Sequence, residues 1–191
     1  MWNRTPILVS AVLVCALLCA WTGNARAQSS SWDLPEFKEA AAAASRWDCK
    51  TAWDIIWPFA KRGNNEARFF LFRLVINNTN PPGYYSGLSS SFLSRHLFTL
   101  AIYGALAGIA PDGGDPSHAW ARKEVPILIN ELALGQRGDL VAQCYKSGDA
   151  LRNCLDLAIS LGVAPRFEDY AEEVDNSVRQ TGRGASCRYP H

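Results

Sequence analysis

The chain has 191 residues, with 19 Lys and Arg against 18 Asp and Glu, which gives a formal net charge of +1. Nucleic-acid-binding proteins normally carry a clear basic surplus, so this balance argues against a nucleic-acid partner. The length is that of one ordinary domain, with enough residues to bury a hydrophobic core.

Residues 1–27 have the three-part pattern of a cleaved export signal. A basic start at Arg4 precedes the apolar run Ile7–Ala20, and Ala25-Arg26-Ala27 supplies the small residues of a cleavage site. The run is about 14 residues, which is short for a bilayer core of ~30 Å. Cleavage leaves 164 residues (191 − 27), with 17 basic residues (19 − 2) against 18 acidic ones. We therefore expect a periplasmic or secreted protein with no membrane span after cleavage.

The cysteines outside the signal are Cys49, Cys144, Cys154 and Cys187. An even number in an exported chain predicts disulfides, but four cysteines allow three pairings and the sequence alone does not choose among them. Cys144 and Cys154 are ten residues apart across a turn-forming stretch, which favours a local pair and would leave Cys49 to pair with Cys187. No CxxC or Cys–His spacing typical of zinc is present, so we expect no metal and no cofactor.

The first elements after the signal are predicted to be helices. Pro35 suits the first turn of an Ala-rich helix over 36–45, because that position needs no backbone N–H. Asp48 can cap a second helix, in which Pro58 predicts a kink or a break. Three- and four-residue spacing places one apolar stripe on this second helix: Cys49, Ala52, Trp53, Ile56, Trp57 and Ala60.

A tight turn then leads into a third helix. Gly63 ends the second helix, and Asn64 or Asn65 begins the next, so the two helices form an αα-hairpin. The apolar stripe of the third helix consists of Ala67, Phe70, Leu71, Leu74 and Val75.

The remainder of the chain also lacks the alternation of a strand. Residues 77–87 are predicted to be a loop, because Pro81-Pro82 and two glycines break helix and strand alike. The tail 182–191 is expected to be irregular unless Cys187 fixes it. Further helices are predicted at about 90–109, 117–134, 139–146, 149–161 and 167–180, with a second loop at 111–116.

These elements predict an all-α fold. Residues 28–181 are expected to form a single domain in which helical hairpins pack as a small α-solenoid-like or orthogonal bundle, stapled by disulfides.

Two segments of the chain share a Gly-then-Ala spacing. Gly63 precedes Ala67 by four residues, and Gly138 precedes Ala142 by four. The two glycines are 75 residues apart (138 − 63), about twice a 34–38-residue helical repeat. Gly permits the positive φ at a helix end, and Ala lets the next helix pack closely.

The pattern Ala52-x-x-x-Ile56-Trp57-Pro58-Phe59-Ala60-x-x-Gly63-Asn64-x-x-Ala67-x-x-x-Leu71 resembles a Sel1-like repeat, a relative of the tetratricopeptide repeats. The resemblance covers about residues 49–76, in a hairpin at 48–77, and more faintly 125–144. It departs from the family at Leu71-Phe72-Arg73-Leu74, where the family has Leu-Gly and Tyr-x-x-Gly stretches. The resemblance implies a scaffold that binds other proteins, and exported members are often envelope or secretion components.

No catalytic motif is present: the sequence lacks a Gly-x-Ser-x-Gly, a His-Glu-x-x-His, a phosphate loop and a dinucleotide fingerprint. We therefore expect a protein that is not an enzyme and has no catalytic residues. His96 lies on or near an apolar helix stripe, which is more typical of a partly buried, hydrogen-bonded residue than of a catalyst.

Five aromatic residues stand out, and four of them form two pairs. Trp53 and Trp57 share a helix face and are predicted to lie in the core. Tyr84 and Tyr85 lie in a Pro-Gly loop, where large rings are less easily hidden, so they are candidates for contact with a peptide or glycan. The fifth is Trp47.

The sequence therefore predicts a non-catalytic exported protein that binds another exported or envelope protein in a groove between paired helices. The candidate binding residues are Arg68, Arg73, Tyr84 and Tyr85. The alternatives are a purely structural envelope protein or a small cell-wall hydrolase, whose acid would be Glu36, Glu39 or Glu66.

Overall fold

A computed structural model describes residues 31–77, 79–84, 90–105, 140–141, 143–144 and 151–188. This part of the chain is mostly helical, which confirms the predicted all-α class. The predicted signal peptide, Tyr85, the predicted loop at 111–116 and the predicted helix at 117–134 lie outside the described residues. The elements, in order, are a 3₁₀ turn (Ser31–Asp33), α1 (Pro35–Ser45), α2 (Cys49–Lys61), α3 (Asn65–Ile76), β1 (Thr79–Asn80), α4 (Ser90–Ala105), α5 (Leu151–Ser160), α6 (Phe167–Thr181) and β2 (Ser186–Cys187).

The predicted helix starts are confirmed by their caps. Pro35 begins α1, and the Asp48 side chain accepts a hydrogen bond of 3.1 Å from the Thr51 amide at the start of α2. The Asn64 side chain accepts one of 2.8 Å from the Ala67 amide, so Asn64 is the cap of α3. Each cap satisfies one of the amide groups that the first turn leaves without a helical partner.

Pro58 was predicted to kink or break α2; the helix is not broken there, so the second of these alternatives is wrong. The helix continues three residues beyond Pro58 to Lys61, and the Pro58 carbonyl still accepts from the Arg62 amide at 3.3 Å. The side chain of Pro58 is exposed. A proline near the end of a helix, with its ring towards solvent, forfeits only one backbone donor, and this is why the helix tolerates it here.

Helix α2 packs against α1 on one side and α3 on the other, and α3 packs in turn against α4. Trp53 and Trp57 are both buried, as predicted. A Cβ on Gly104 of α4 would lie 3.1 Å from the Cα of Phe69, so the glycine permits a close approach of α4 to α3. The largest fully buried side chains of the core are Trp53, Tyr170, Phe37, Phe69, Phe72, Phe98, Phe167, Ile56, Leu71, Leu100 and Ile102.

The tail is fixed to the helical body at Cys187. Strand β2 pairs antiparallel with β1, with Thr79 opposite Cys187, so the predicted loop at 77–87 contains one short strand. Cys49 is bonded to Cys187, and Cys144 to Cys154, as the local-pair argument predicts. Among the described residues, no helix is both long and apolar enough to cross a membrane.

The two disulfides are expected to differ in their contribution to stability. Cys49 and Cys187 are 138 residues apart, whereas Cys144 and Cys154 are ten apart. In the chain-entropy account the longer loop stabilises by about 5 kcal/mol and the shorter by about 3 kcal/mol. We predict that Cys49→Ser with Cys187→Ser lowers the free energy of unfolding more than Cys144→Ser with Cys154→Ser, measured by urea denaturation. Equal losses would contradict the prediction.

Among the described glycines, Gly83 is expected to be the least tolerant of substitution. Its φ is +81°, and an added Cβ would lie 2.8 Å from Ser177 Cβ and closer still to Ser177 Oγ. Gly63 has a similar φ of +89° but no atom within 4 Å of such a Cβ, so it is the matched control. We predict that Gly83→Ala costs about 3 kcal/mol, backbone strain plus a clash, and Gly63→Ala only about 1 kcal/mol. Thermal unfolding of the two variants measures the difference, and similar losses would show that the contact with Ser177 does not matter.

Candidate functional site

A groove of about 360 Å³ lies between α1 and α3, and we refer to it as the α1–α3 groove. Its surface is mostly apolar and aromatic, with a few polar side chains at one end. The lining residues are Trp32, Ala41, Ala44, Ser45, Trp47, Cys49, Phe70, Arg73, Leu74, Asn77 and Thr79.

Trp47 is the most unusual residue of the groove. It lies in the three-residue link between α1 and α2 and has a φ of +63°, the left-handed region that non-glycine residues seldom adopt. Two backbone hydrogen bonds hold the link in this shape, from the Trp47 amide to Ala44 O at 3.1 Å and from the Asp48 amide to Ala43 O at 2.9 Å. The Trp47 side chain is 51% exposed, the largest exposure among the described large hydrophobic residues.

The opposite end of the groove has an aromatic wall. The Trp32 ring lies 5.5 Å from that of Phe70 and 5.6 Å from that of Phe37, measured between centroids. Phe37 is fully buried and Phe70 almost so, and they anchor the half-buried Trp32. Rings fixed in this way present apolar surface with little freedom left to lose on binding.

Arg73 and Asn77 supply the polar end. They are one turn apart at the end of α3, which places their side chains on the same side of the helix. Arg73 is exposed and is the one charged residue among those that line the groove. Within the described part of the chain, its guanidinium has no hydrogen-bond or ion-pair partner.

The Cys49–Cys187 disulfide closes the same end. Cys49 lines the groove, and Cys187 Sγ lies 2.9 Å from the carbonyl oxygen of Trp47. A disulfide sulfur carries no hydrogen, so this is a contact and not a hydrogen bond. The tail strand, the start of α2 and Trp47 therefore meet at one point.

The structure does not bring the four predicted binding residues together. Arg73 lies in the groove, Tyr84 is half-buried elsewhere, and Tyr85 is outside the described residues. Arg68 is only 7% exposed, so its placement on an accessible surface is corrected.

Arg68 is instead an interior structural residue. Its Nε donates to Ala60 O at 3.1 Å, and its guanidinium lies 3.8 Å from the ring centroid of Phe167 and 5.0 Å from that of Tyr103. Burial lowers the pKa of this guanidinium. The aromatic faces attract the cation, which accounts for a charged group at this depth.

The three glutamates that could supply the acid of a cell-wall hydrolase do not form a site. Glu36 and Glu39 are exposed on α1, while the Glu66 carboxylate accepts a hydrogen bond from the Ser31 amide and so anchors the 3₁₀ turn. None of the three lines the groove. Among the described residues, no group of three or more His, Cys, Asp or Glu is placed to hold a metal ion.

A larger concavity of about 630 Å³ involves α4, α5 and α6, and both arginines of its described lining lie close to carboxylates. Arg95 forms an ion pair of 2.9 Å with Glu173, and Arg166 lies 3.9 Å from Glu168. Asp169 is the remaining charged residue of that described lining, which holds no aromatic ring. Because it lacks aromatic surface, we consider the α1–α3 groove the better candidate.

His96 is buried, as expected for a structural histidine, and its Nδ1 lies 2.7 Å from Tyr170 Oη in a hydrogen bond. Burial lowers the pKa of His96 to about 4, and the nearby positive charge of Arg95 acts in the same direction. Burial also raises the pKa of Tyr170, so both groups are uncharged at neutral pH.

Two of the groove's three aromatic residues, Trp32 and Phe70, were not assigned to a site by sequence reasoning, and Trp47 was noted without a role. The available signal for Trp47 was the very short link between the Ala-rich helix and the cap Asp48, which contains no glycine.

No protein-family profile, curated protein or solved structure matches the chain. The Sel1-like resemblance therefore remains a prediction.

The depressed pKa of His96 predicts acid sensitivity. Unfolded His takes up a proton near pH 6.5, whereas the folded residue does so only near pH 4, so stability falls as the pH drops through this window. The difference corresponds to about 3 kcal/mol. We predict that His96→Gln makes the free energy of unfolding less dependent on pH between 6.5 and 4, measured by urea denaturation at each pH. An unchanged pH profile would contradict the assignment.

Proposed function

We propose that this protein is an exported, non-catalytic helical protein that binds another protein of the periplasm or cell envelope in the α1–α3 groove. The observation that carries the proposal is Trp47, a large ring half exposed at the groove on a strained backbone.

The backbone of Trp47 gives the first supporting argument. The left-handed conformation costs a residue with a Cβ about 1–2 kcal/mol relative to glycine, which adopts it freely. Glycine would therefore make the α1–α2 link at a lower cost in free energy. A tryptophan in this position, with half of its surface in water, contributes little to the fold that would offset that strain. Strain of this kind is typical of functional positions.

The ring surface gives the second argument. A tryptophan side chain buries roughly 150–250 Å² when fully covered, so covering the exposed half removes on the order of 100 Å² from water. At about 25 cal/mol per Å², this contributes about 2–3 kcal/mol to binding, which exceeds the backbone strain. Binding of the partner thus gains more free energy from covering the ring than the strained backbone costs.

The disulfides support the compartment. Two bonded pairs, Cys49–Cys187 and Cys144–Cys154, are typical of proteins that function outside the reducing cytoplasm. Together with the signal-like residues 1–27, they favour a partner that is itself exported.

The test is capture of the partner with variants of Trp47. We predict that full-length protein, expressed in its native host and crosslinked in intact cells, retains a saturable protein partner that Trp47→Ala and Trp47→Gly both lose. Leu140→Ala is the matched control, because Leu140 is 49% exposed and does not line the groove. A partner retained equally by all variants would contradict the role of the groove.

The same two variants separate function from folding. Both remove the ring, but only glycine relieves the positive φ, so Trp47→Gly is expected to be about 1 kcal/mol more stable than Trp47→Ala. Urea denaturation measures this difference. Loss of binding in a variant that folds as stably as the parent assigns the loss to the missing ring.

A further inference from the structure

We infer that the α1–α3 groove takes a short extended segment of the partner that carries an aromatic or aliphatic side chain beside an Asp or Glu, whose carboxylate pairs with Arg73. This inference rests on the proposed function and adds the chemistry of the ligand. Arg73 is the charged residue of an otherwise uncharged lining, and it has no carboxylate partner in the described part of the chain. The ligand group that complements the positive charge of Arg73 is therefore an anion.

Asn77 adds a second donor to this position. Its side-chain amide lies one turn beyond Arg73 on α3 and lines the same end of the groove. A guanidinium and an amide NH₂ on one side of a helix offer separate donors to the two oxygens of one carboxylate.

The end of α3 is suited to an anion despite the direction of its helix dipole. A helix C-terminus carries roughly half a negative charge on its free carbonyl groups, which opposes anion binding. Here Arg188 of the tail donates from Nη2 to the Val75 carbonyl at 2.6 Å. Arg188, which does not line the groove, thus offsets the partial negative charge at the end of α3, and Arg73 supplies the positive charge in the groove itself.

The size of the groove limits the occupant to a short segment. A volume of about 360 Å³ is near the lower end of the range for ligand pockets, which is roughly 300–1,000 Å³. An α-helix with its side chains is about 10 Å across and needs a wider trough. The apolar side chain would lie between Trp47 and the Trp32–Phe70 wall, and the carboxylate at the Arg73 end.

The lining favours a peptide over a glycan. Sugar hydroxyl groups require many hydrogen-bond partners, but two of the four polar side chains in the lining are already occupied or buried. Ser45 Oγ donates to Ala42 O at 2.9 Å, and Thr79 is 1% exposed. The two that remain, Arg73 and Asn77, are the pair that fits a carboxylate.

The test uses a phage-displayed library of random twelve-residue peptides, selected on the oxidised protein purified after export of the full chain. We expect enriched peptides in which an aromatic or aliphatic residue stands beside Asp or Glu. For a synthetic enriched peptide, changing that acid to its amide should weaken binding about tenfold. Arg73→Gln should weaken binding of the acidic peptide by a similar factor. This variant should bind the acidic and amide peptides with equal affinity.

Two controls accompany this measurement. Arg73→Lys keeps the positive charge but loses the planar guanidinium. It should therefore retain part of the preference for the acidic peptide over the amide peptide. Arg179→Gln removes an exposed cation of α6 that hydrogen-bonds Asn176 and does not line the groove, so it should leave binding unchanged. Affinity for the acidic peptide should also fall as salt rises, more steeply than for the amide peptide.

The possible failures are distinguishable. Enriched peptides that need Trp47 but carry no acid, or that bind Arg73→Gln unchanged, would overturn the ligand chemistry and leave the proposed function standing. Absence of any peptide whose binding depends on Trp47 would overturn both. Trp47-dependent binding of purified cell-wall glycan fragments, in place of peptides, would replace the protein ligand with a carbohydrate.

Discussion

The Cys49–Cys187 disulfide is the constraint on which the groove depends. It joins the first residue of α2 to β2, and β2 pairs with β1 just after the end of α3. The end of α1 reaches the same point, because only Arg46, Trp47 and Asp48 separate it from α2. The two walls of the groove are therefore fixed relative to each other by a covalent bond in addition to packing, and a segment distant in sequence helps to determine the shape of the groove.

Several polar side chains join the helices in the interior of the fold. Trp57 Nε1 donates to Asp175 at 2.8 Å and joins α2 to α6, while His96 and Tyr170 form a buried pair between α4 and α6. Arg68 is held between aromatic rings. Each of these groups has a partner inside the fold. The described lining of the α1–α3 groove combines aromatic surface with one charged side chain, Arg73.

Local chemistry explains which features the sequence could predict. The caps Asp48 and Asn64 and the stripe on α2 depend on residues within a few positions of each other, so the helices were predictable. The pairing of β1 with β2 joins residues 79 and 187 and has no local signal. The prediction that Arg68 lies on an accessible surface is wrong for a related reason. Arg68 lies beside the buried stripe of α3, and the aromatic rings that contact its guanidinium belong to α4 and α6.

The strain at Trp47 and the rigidity of its surroundings act together on binding. A flexible loop that carried the same ring would lose conformational entropy when a partner ordered it, about 0.5–1.5 kcal/mol for each side chain immobilised. The link here is already fixed by hydrogen bonds to Ala43 and Ala44 on one side and by contact with the Cys187 sulfur on the other. The free-energy cost of the left-handed conformation is thus offset during folding by the disulfide and by the packing of α1 on α2. In the proposed complex, the partner would meet a ring that is already in place, so the free energy of covering it would go into affinity.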